Sequence, residues 1–273
     1  MKKSEDLKQV VKQKYSEVVT SNSSCCSSDC GCIDDINFIG DEYQQVDGYF
    51  PEADLGLGCG LPTELAQIKE GDVVVDLGSG AGNDCFVARS QTGQRGKIIG
   101  IDFTPEMVEK AQQNAAKLGF KNVHFIEADI EKMPLSDHTA DVIVSNCVLN
   151  LVPDKQAAFS ETFRVLKPGG HFSISDVVLK GNLPEELRAS AEMYAGCVSG
   201  AIAVEEYMEI LNSAGFKNVA IQRERKIDIP EKVLQDYLTS AQIASFNDGD
   251  IGIYSITLYG EKPEECCDPG CCD

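Results

Sequence analysis

Short apolar runs alternate with longer amphipathic stretches through the middle of the chain. Five of these runs have the length and β-branched content of buried strands, at residues 72–78, 97–102, 122–129, 141–146 and 171–178. Residues 104–119 and 154–166 have helical spacing, and Thr104 and Pro105 are suited to the N-cap and the first helical position. Continuously apolar strands that alternate with helices are typical of a parallel sheet covered on both faces. We therefore expect a doubly wound α/β fold over residues 36–180.

The pattern changes on both sides of this region. A charged amphipathic helix and a Ser/Cys-rich loop precede it, and after Lys180 the alternation weakens, with strand-like runs at 217–224 and 251–260. We expect these later residues to form a smaller α+β lobe that holds the substrate. The predicted domains are an N-terminal helix and Cys-rich loop at 1–35, the sheet domain at 36–180, the lobe at 181–262 and a Cys-rich tail at 263–273.

The net charge of the chain argues against some kinds of binding partner. The 273 residues include 44 acidic and 24 basic ones, a net charge of −20, which argues against nucleic acid and anionic membranes. The basic N-terminus has no apolar run behind it, and no uncharged stretch is long enough to span a bilayer. We expect a monomeric cytoplasmic protein. In that compartment its 12 cysteines are ligands, redox groups or core fillers rather than structural disulfides.

The cysteines are distributed unevenly. Four lie within residues 25–32 and four within the last eight residues, and the body holds Cys59, Cys85, Cys147 and Cys197. Cys147 directly follows Asn146 at the carboxyl end of the fourth predicted strand, the end at which open α/β sheets bind ligands. Any one such cysteine, taken alone, is more often a small buried hydrophobe. The three histidines form no catalytic arrangement, and we interpret each as structural.

A glycine-rich loop, DLGSGAG at residues 76–82, joins the first strand to a helix. Its glycines let the backbone turn tightly and approach a ligand closely. The order D-x-G-x-G-x-G differs from the G-x-G-x-x-G of dinucleotide-binding enzymes and resembles Rossmann-type S-adenosylmethionine-dependent methyltransferases. A nicotinamide enzyme and a generic α/β turn are the alternatives.

That resemblance implies a set of cofactor-binding residues. Asp76 would lie near the methionine end of the cofactor, an acid at the end of the second strand would accept hydrogen bonds from the ribose, and the end of the third strand would contact adenine. The implied residues are Asp76, Gly78, Ser79, Gly80, Asp102, Phe103, Asp129, Ile130 and Asn146.

A more specific resemblance covers about residues 1–220. The segments LGLGCG (55–60), DLGSGAGNDCF (76–86), SNCVLNLVPDK (145–155) and MYAGCVSGA (193–201) together resemble the arsenite S-adenosylmethionine methyltransferases. The resemblance implies that Cys59, Cys147 and Cys197 bind trivalent arsenic. It also implies one upstream redox cysteine, for which Cys32 or Cys30 is favoured.

The implied reaction is transfer of methyl groups from S-adenosylmethionine to thiol-bound arsenite, giving methylated arsenicals for detoxification. Thiolates suit this substrate because trivalent arsenic is soft. A thiol reductant, thioredoxin or glutathione, would restore the oxidised cysteines. Two alternatives remain: a methyltransferase of another small molecule, of quinone or sterol type, and a metalloid-binding sensor or storage protein. The C-terminal cysteine cluster fits either metalloid capture or a mobile tail, whereas a role is favoured for the N-terminal cluster because the family needs one thiol there.

Overall fold

The computed structural model describes residues 4–20, 43–181, 200–227, 235, 239–248 and 252–264. Seven strands form one sheet in the order β3-β2-β1-β4-β5-β7-β6. The strands are β1 (Val73–Leu77), β2 (Lys97–Asp102), β3 (Val123–Glu127), β4 (Ala140–Asn146), β5 (Leu166–Lys180), β6 (Lys217–Lys226) and β7 (Gly252–Glu261). Strands β1 to β5 are parallel, and β7 runs antiparallel to both of its neighbours, β5 and β6.

Helices cover both faces of this sheet. They are α1 (Ser4–Thr20), α2 (Pro62–Leu65), α3 (Asn83–Thr92), α4 (Pro105–Lys117), α5 (Lys155–Val165), α6 (Val204–Ser213) and α7 (Ser240–Asp248). Three single-turn 3-10 helices lie at Tyr43–Gln45, Pro51–Ala53 and Leu149–Leu151. None of the helices in the described ranges is long and apolar enough to cross a bilayer.

Successive residues of each central strand point into different cores. Val74 packs in a cluster with Phe86 of α3, whereas Val75 packs in a cluster with Phe159 of α5 and Tyr207 of α6. This follows from the two-residue repeat of a strand. Because both faces of β1, β2 and β4 are buried, these strands are largely apolar, and their polar side chains lie mainly near their ends.

The predicted α/β fold is confirmed, and so is the N-terminal helix. Thr104 is the N-cap of α4 and Pro105 its first residue, although the Thr104 side chain makes no capping hydrogen bond. The two strands expected after Lys180 are β6 and β7. Strand β7 pairs with β5 and β6 pairs with β7, so this part of the chain continues the sheet of the central domain. The four domain boundaries stay predictions, since residues 21–42, 182–199 and 265–273 lie outside the described ranges.

Candidate active site

The glycine loop after β1 is tied to the neighbouring strand. The backbone N–H groups of Gly78 and Ser79 donate to the carbonyl oxygen of Ile101, at 2.7 and 2.9 Å. Gly78 has a φ of 70°, and a Cβ there would lie 2.3 Å from a methyl group of Val148. Glycine is therefore required at position 78 both by the backbone conformation and by the close approach of Val148. The loop ends where Gly82 begins α3.

All nine predicted cofactor-binding residues line one pocket at the carboxyl edge of the parallel strands. Asp102 ends β2, and its carboxylate accepts hydrogen bonds from the backbone N–H of Gly80 at 3.0 Å and of Thr104 at 2.8 Å. Burial raises the pKa of Asp102. Cys147 lines the same pocket. The structure thus brings these residues together, while their binding roles stay predictions.

The pocket is strongly acidic. Among the described residues, five aspartates and one lysine line it. Burial raises the pKa of Asp76 well above its usual range, and the nearby Asp84 charge raises it further. Burial also raises the pKa of Asp84 to about 6. Buried acids without matching cations favour a positively charged ligand.

Two polar atoms in the pocket wall have no partner among the described residues. The Oγ of Ser79 and the Oδ1 of Asn83 are buried and make no hydrogen bond. Both residues line the pocket. Buried polar atoms are normally paired, so these two are available to a bound ligand. S-adenosylmethionine, which carries a positive charge and several hydrogen-bonding groups, fits this lining.

The N-terminal helix closes one side of the pocket. Lys8 of α1 forms ion pairs with Asp129 and Glu131, each at 2.5 Å, just beyond the end of β3. Lys8 and Tyr15 both line the pocket. Sequence analysis missed these residues, because the contact joins positions 121 residues apart.

Asn146, at the end of β4, connects the pocket to the segment that carries Cys59. Its Oδ1 accepts hydrogen bonds from the backbone N–H of Cys59 at 3.0 Å and of Gly60 at 3.3 Å. Its Nδ2 donates to Asp84 at 3.2 Å. The Tyr43 hydroxyl donates to the same Asp84 carboxylate at 3.0 Å. Sequence analysis missed Tyr43 and Asp84, neither of which follows a strand.

Cys59 and Cys147 meet across 88 residues of sequence. The structure joins them in a disulfide with 5.7 Å between their Cα atoms, and both side chains are buried. This differs from the expected free thiols and corresponds to the oxidised form of the pair. Cys147 has a φ of 60°, a left-handed conformation that is uncommon for a residue with a side chain and is often found at functional sites.

A buried carboxylate lies beside the two sulfur atoms. The Cys59 and Cys147 sulfurs and an Asp176 oxygen all lie within 4.8 Å of one another. Burial raises the pKa of Asp176, in β5, to about 7. Sequence analysis missed this residue, although an acid inside an apolar strand was a usable signal.

The remaining predicted cysteines are placed as follows. Cys85, which we interpret as a structural cysteine, is buried, and its thiol donates to Asp76 at 3.2 Å. Cys32, Cys30 and Cys197 lie outside the described residues, as do the other terminal cysteines. No histidine in the described ranges lines the pocket.

Comparison with known proteins agrees with this geometry. Residues 68–215 match the model of a protein family described as a methyltransferase domain. The chain is 38% identical to an arsenite methyltransferase of Halobacterium salinarum, over 95% of this chain and 67% of that protein. It is 36% identical to the arsenite methyltransferase of Homo sapiens, over 69% of this chain and 52% of the human protein. The chain thus spans about two thirds of one relative and about half of the other.

A solved structure extends the comparison. The arsenic(III) S-adenosylmethionine methyltransferase of Chlamydomonas reinhardtii aligns with a TM-score of 0.63 and 32% identity, covering 78% of this chain and 68% of that one. The fold and the pocket define a Rossmann-type S-adenosylmethionine-dependent methyltransferase. Within that class, the chain belongs to the arsenite methyltransferase family.

Proposed function

We propose that this chain transfers methyl groups from S-adenosylmethionine to trivalent arsenic held by its own thiols, giving methylated arsenicals for detoxification. The observation that carries this proposal is the position of the Cys59–Cys147 pair, which opens onto the acidic pocket through Cys147. Methyl transfer requires the nucleophile to lie in line with the methyl donor, so a substrate site next to the cofactor pocket is what the reaction needs.

The pocket residues would hold the cofactor in the following way. When bound, S-adenosylmethionine supplies a methyl group on a positively charged sulfur. The Asp102 carboxylate, fixed by the backbone of Gly80 and Thr104, would accept hydrogen bonds from ribose hydroxyls. Asp129 and Ile130 would border the adenine, and Asp76 would face the methionine end. The aspartates would favour the cofactor's positive charge over neutral analogues.

In the reduced form, Cys59 and Cys147 would bind arsenic as thiolates. Cys197 would supply the third thiol. The position of Ala201 supports this, because it packs in one apolar cluster with Cys59 and Cys147 only four residues after Cys197. Ile253 of β7 belongs to the same cluster, which supports the proposal that the region 181–262 contributes to the arsenic site.

A redox step would complete the cycle. Methylation by the lone pair of arsenic leaves it formally pentavalent. Two thiolates that join as a disulfide release two electrons, which would return arsenic to the trivalent state. We propose Cys32 as the further thiol in this step. Thioredoxin or glutathione would then reopen the disulfide by thiol–disulfide exchange. The close approach of the Cys59 and Cys147 sulfurs supports this scheme.

The test is product analysis with reduced protein, arsenite, a thiol and methyl-labelled S-adenosylmethionine. We expect methylated arsenic from the natural sequence. Cys59→Ser and Cys147→Ser should each lose this product while labelled cofactor still binds in equilibrium dialysis. The matched control is a chain without residues 264–273, which lacks four thiols and should retain methylation at saturating arsenite. Arsenic binding without any methylated product would instead favour a sensor or storage protein.

We also propose that the protein acts as a monomer in the cytoplasm, since a reducing compartment keeps the site thiols free. Sedimentation equilibrium of the reduced protein tests the first statement. Fractionation of cells expressing the natural sequence tests the second.

A further inference from the structure

Asp176 is an ionisable group in a mainly apolar environment. It is completely buried in β5, directly before Val177, which packs in the same cluster as the two cysteines. The positive charge of Lys155 favours the ionised form of Asp176, but no ion pair to its carboxylate forms among the described residues. Burying an acid without a paired cation is costly, so such an acid needs other partners.

The hydrogen bonds made by Asp176 leave part of its accepting capacity unused. The Tyr207 hydroxyl donates to Oδ2 at 3.1 Å, and the backbone N–H of Val177 donates to Oδ1 at 3.0 Å. The backbone of Asn150 is a third hydrogen-bond donor to this carboxylate. A carboxylate has about four acceptor positions. The same carboxylate lies within 4.8 Å of the sulfurs of Cys59 and Cys147. A group bound to both sulfurs would therefore lie within reach of Asp176.

Arsenite brings a hydrogen-bond donor to this position. Arsenite has three hydroxyl groups on arsenic, and two thiols displace two of them, releasing two water molecules. The product has arsenic bonded to two sulfurs and one remaining hydroxyl. A carboxylate oxygen is a hard ligand and a poor match for soft arsenic, but it is a strong acceptor for an O–H donor.

We propose that Asp176 is a positioning residue for arsenite: its carboxylate accepts a hydrogen bond from the hydroxyl that arsenic keeps when Cys59 and Cys147 hold it. This inference rests on the proposed function. The apolar cluster strengthens the bond, because a hydrogen bond gains energy where water is excluded. Displacement of the last hydroxyl by Cys197 would end the interaction.

The proposal predicts a difference between two substrates. Trivalent methylarsenite has one methyl and two hydroxyl groups, and two thiols displace both hydroxyls. Its complex with Cys59 and Cys147 therefore has no hydroxyl for Asp176 to accept. Asp176 should strengthen the binding of arsenite and leave that of methylarsenite unchanged.

The test measures binding rather than turnover. Reduced Cys197→Ser protein, which stops at the two-thiol complex, is dialysed against arsenite or methylarsenite, and bound arsenic is counted by mass spectrometry. Adding Asp176→Asn should weaken arsenite binding about tenfold, the size expected for a charged hydrogen bond, and change methylarsenite binding less than twofold. Tyr207→Phe is the matched control, because it removes a partner of Asp176 but keeps the carboxylate. It should change both affinities less than threefold.

The other possible results of this binding experiment distinguish failure of the inference from failure of the proposed function. If Asp176→Asn weakens the binding of arsenite and of methylarsenite equally, or weakens neither, the inference is overturned and the proposed function is left intact. The inference also fails if the natural sequence binds arsenite but Cys197→Ser protein does not. If the natural sequence itself binds no arsenite, the proposed function fails.

Discussion

Asp84 gives a pH dependence of stability that can be worked out from the structure. Its pKa in the folded protein is about 6, against an ordinary value of 3.8, and burial is the main cause. The folded chain therefore holds this proton more tightly than the unfolded chain does. The resulting stabilisation is complete below about pH 4 and is lost as the pH rises through 6.

The size of the effect follows from the shift. About two pKa units at 1.4 kcal/mol each correspond to about 3 kcal/mol of unfolding free energy. This is an upper bound, because Asp84 is partly exposed to the pocket and water screens its charge. Roughly half of it is lost between pH 5 and pH 8. Asp76 adds to the effect, since burial and, after it, the Asp84 charge raise its pKa.

Asp84→Asn tests this reasoning, because the amide has the same shape and no charge. Urea unfolding of the cofactor-free protein measures how Asp84→Asn changes the unfolding free energy. That change should be more stabilising at pH 8 than at pH 5, by about 1.4 kcal/mol. The comparison between two pH values cancels any constant cost of altered hydrogen bonds. Asp47→Asn, at an exposed position, removes the same charge and should show a difference near zero. An equal effect of Asp84→Asn at both pH values would refute the reasoning.

Three further substitutions probe the site. Gly78→Ala should abolish binding of labelled cofactor in dialysis. Adding Val148→Ala should restore it only in part, because this change removes the methyl group at 2.3 Å but leaves the Cβ of residue 148 at 2.9 Å and the positive φ of residue 78. Asn146→Ala should lower the unfolding free energy by about 1–3 kcal/mol in urea titrations, because it leaves the backbone N–H of Cys59 without its acceptor. Lys8→Met should raise the KM for S-adenosylmethionine severalfold in steady-state assays with little change in kcat, because α1 loses its ion pairs at the pocket. An unchanged KM would show that α1 does not contribute to cofactor binding.

The sequence predicts the parallel part of the sheet because the hydrophobic pattern of each short segment is enough to identify these strands. Apolar runs such as VIVS (142–145) have to be buried on both faces, and the few polar residues then lie mainly at strand ends. The resemblance to methyltransferases implied Asp102 and Asn146 at two of these strand ends, and both line the pocket. The reversed strand β7 is apolar in the same way, and nothing local shows that it inserts between β5 and β6.

The missed residues depend on contacts between distant parts of the chain. Tyr43 reaches Asp84 across 41 residues, and Lys8 reaches Asp129 across 121. The meeting of Cys59 with Cys147 was implied by family resemblance, since spacing alone did not distinguish these thiols from core cysteines. Asp176 is different, because its place inside an apolar strand was visible in the sequence.

The two halves of the proposed reaction share one side chain. Asn146 contacts Asp84 in the cofactor pocket through Nδ2 and the backbone of Cys59 through Oδ1. A shift of this amide would therefore move the Cys59 segment relative to the pocket. Ser255 of β7 holds the same segment from the other side, donating to the Cys59 carbonyl at 2.6 Å. Because in-line transfer is sensitive to displacements of about 1 Å, we propose that these two contacts set how closely a substrate held at Cys59 approaches the methyl donor. The reversed strand thus contributes to the site as well as to the sheet.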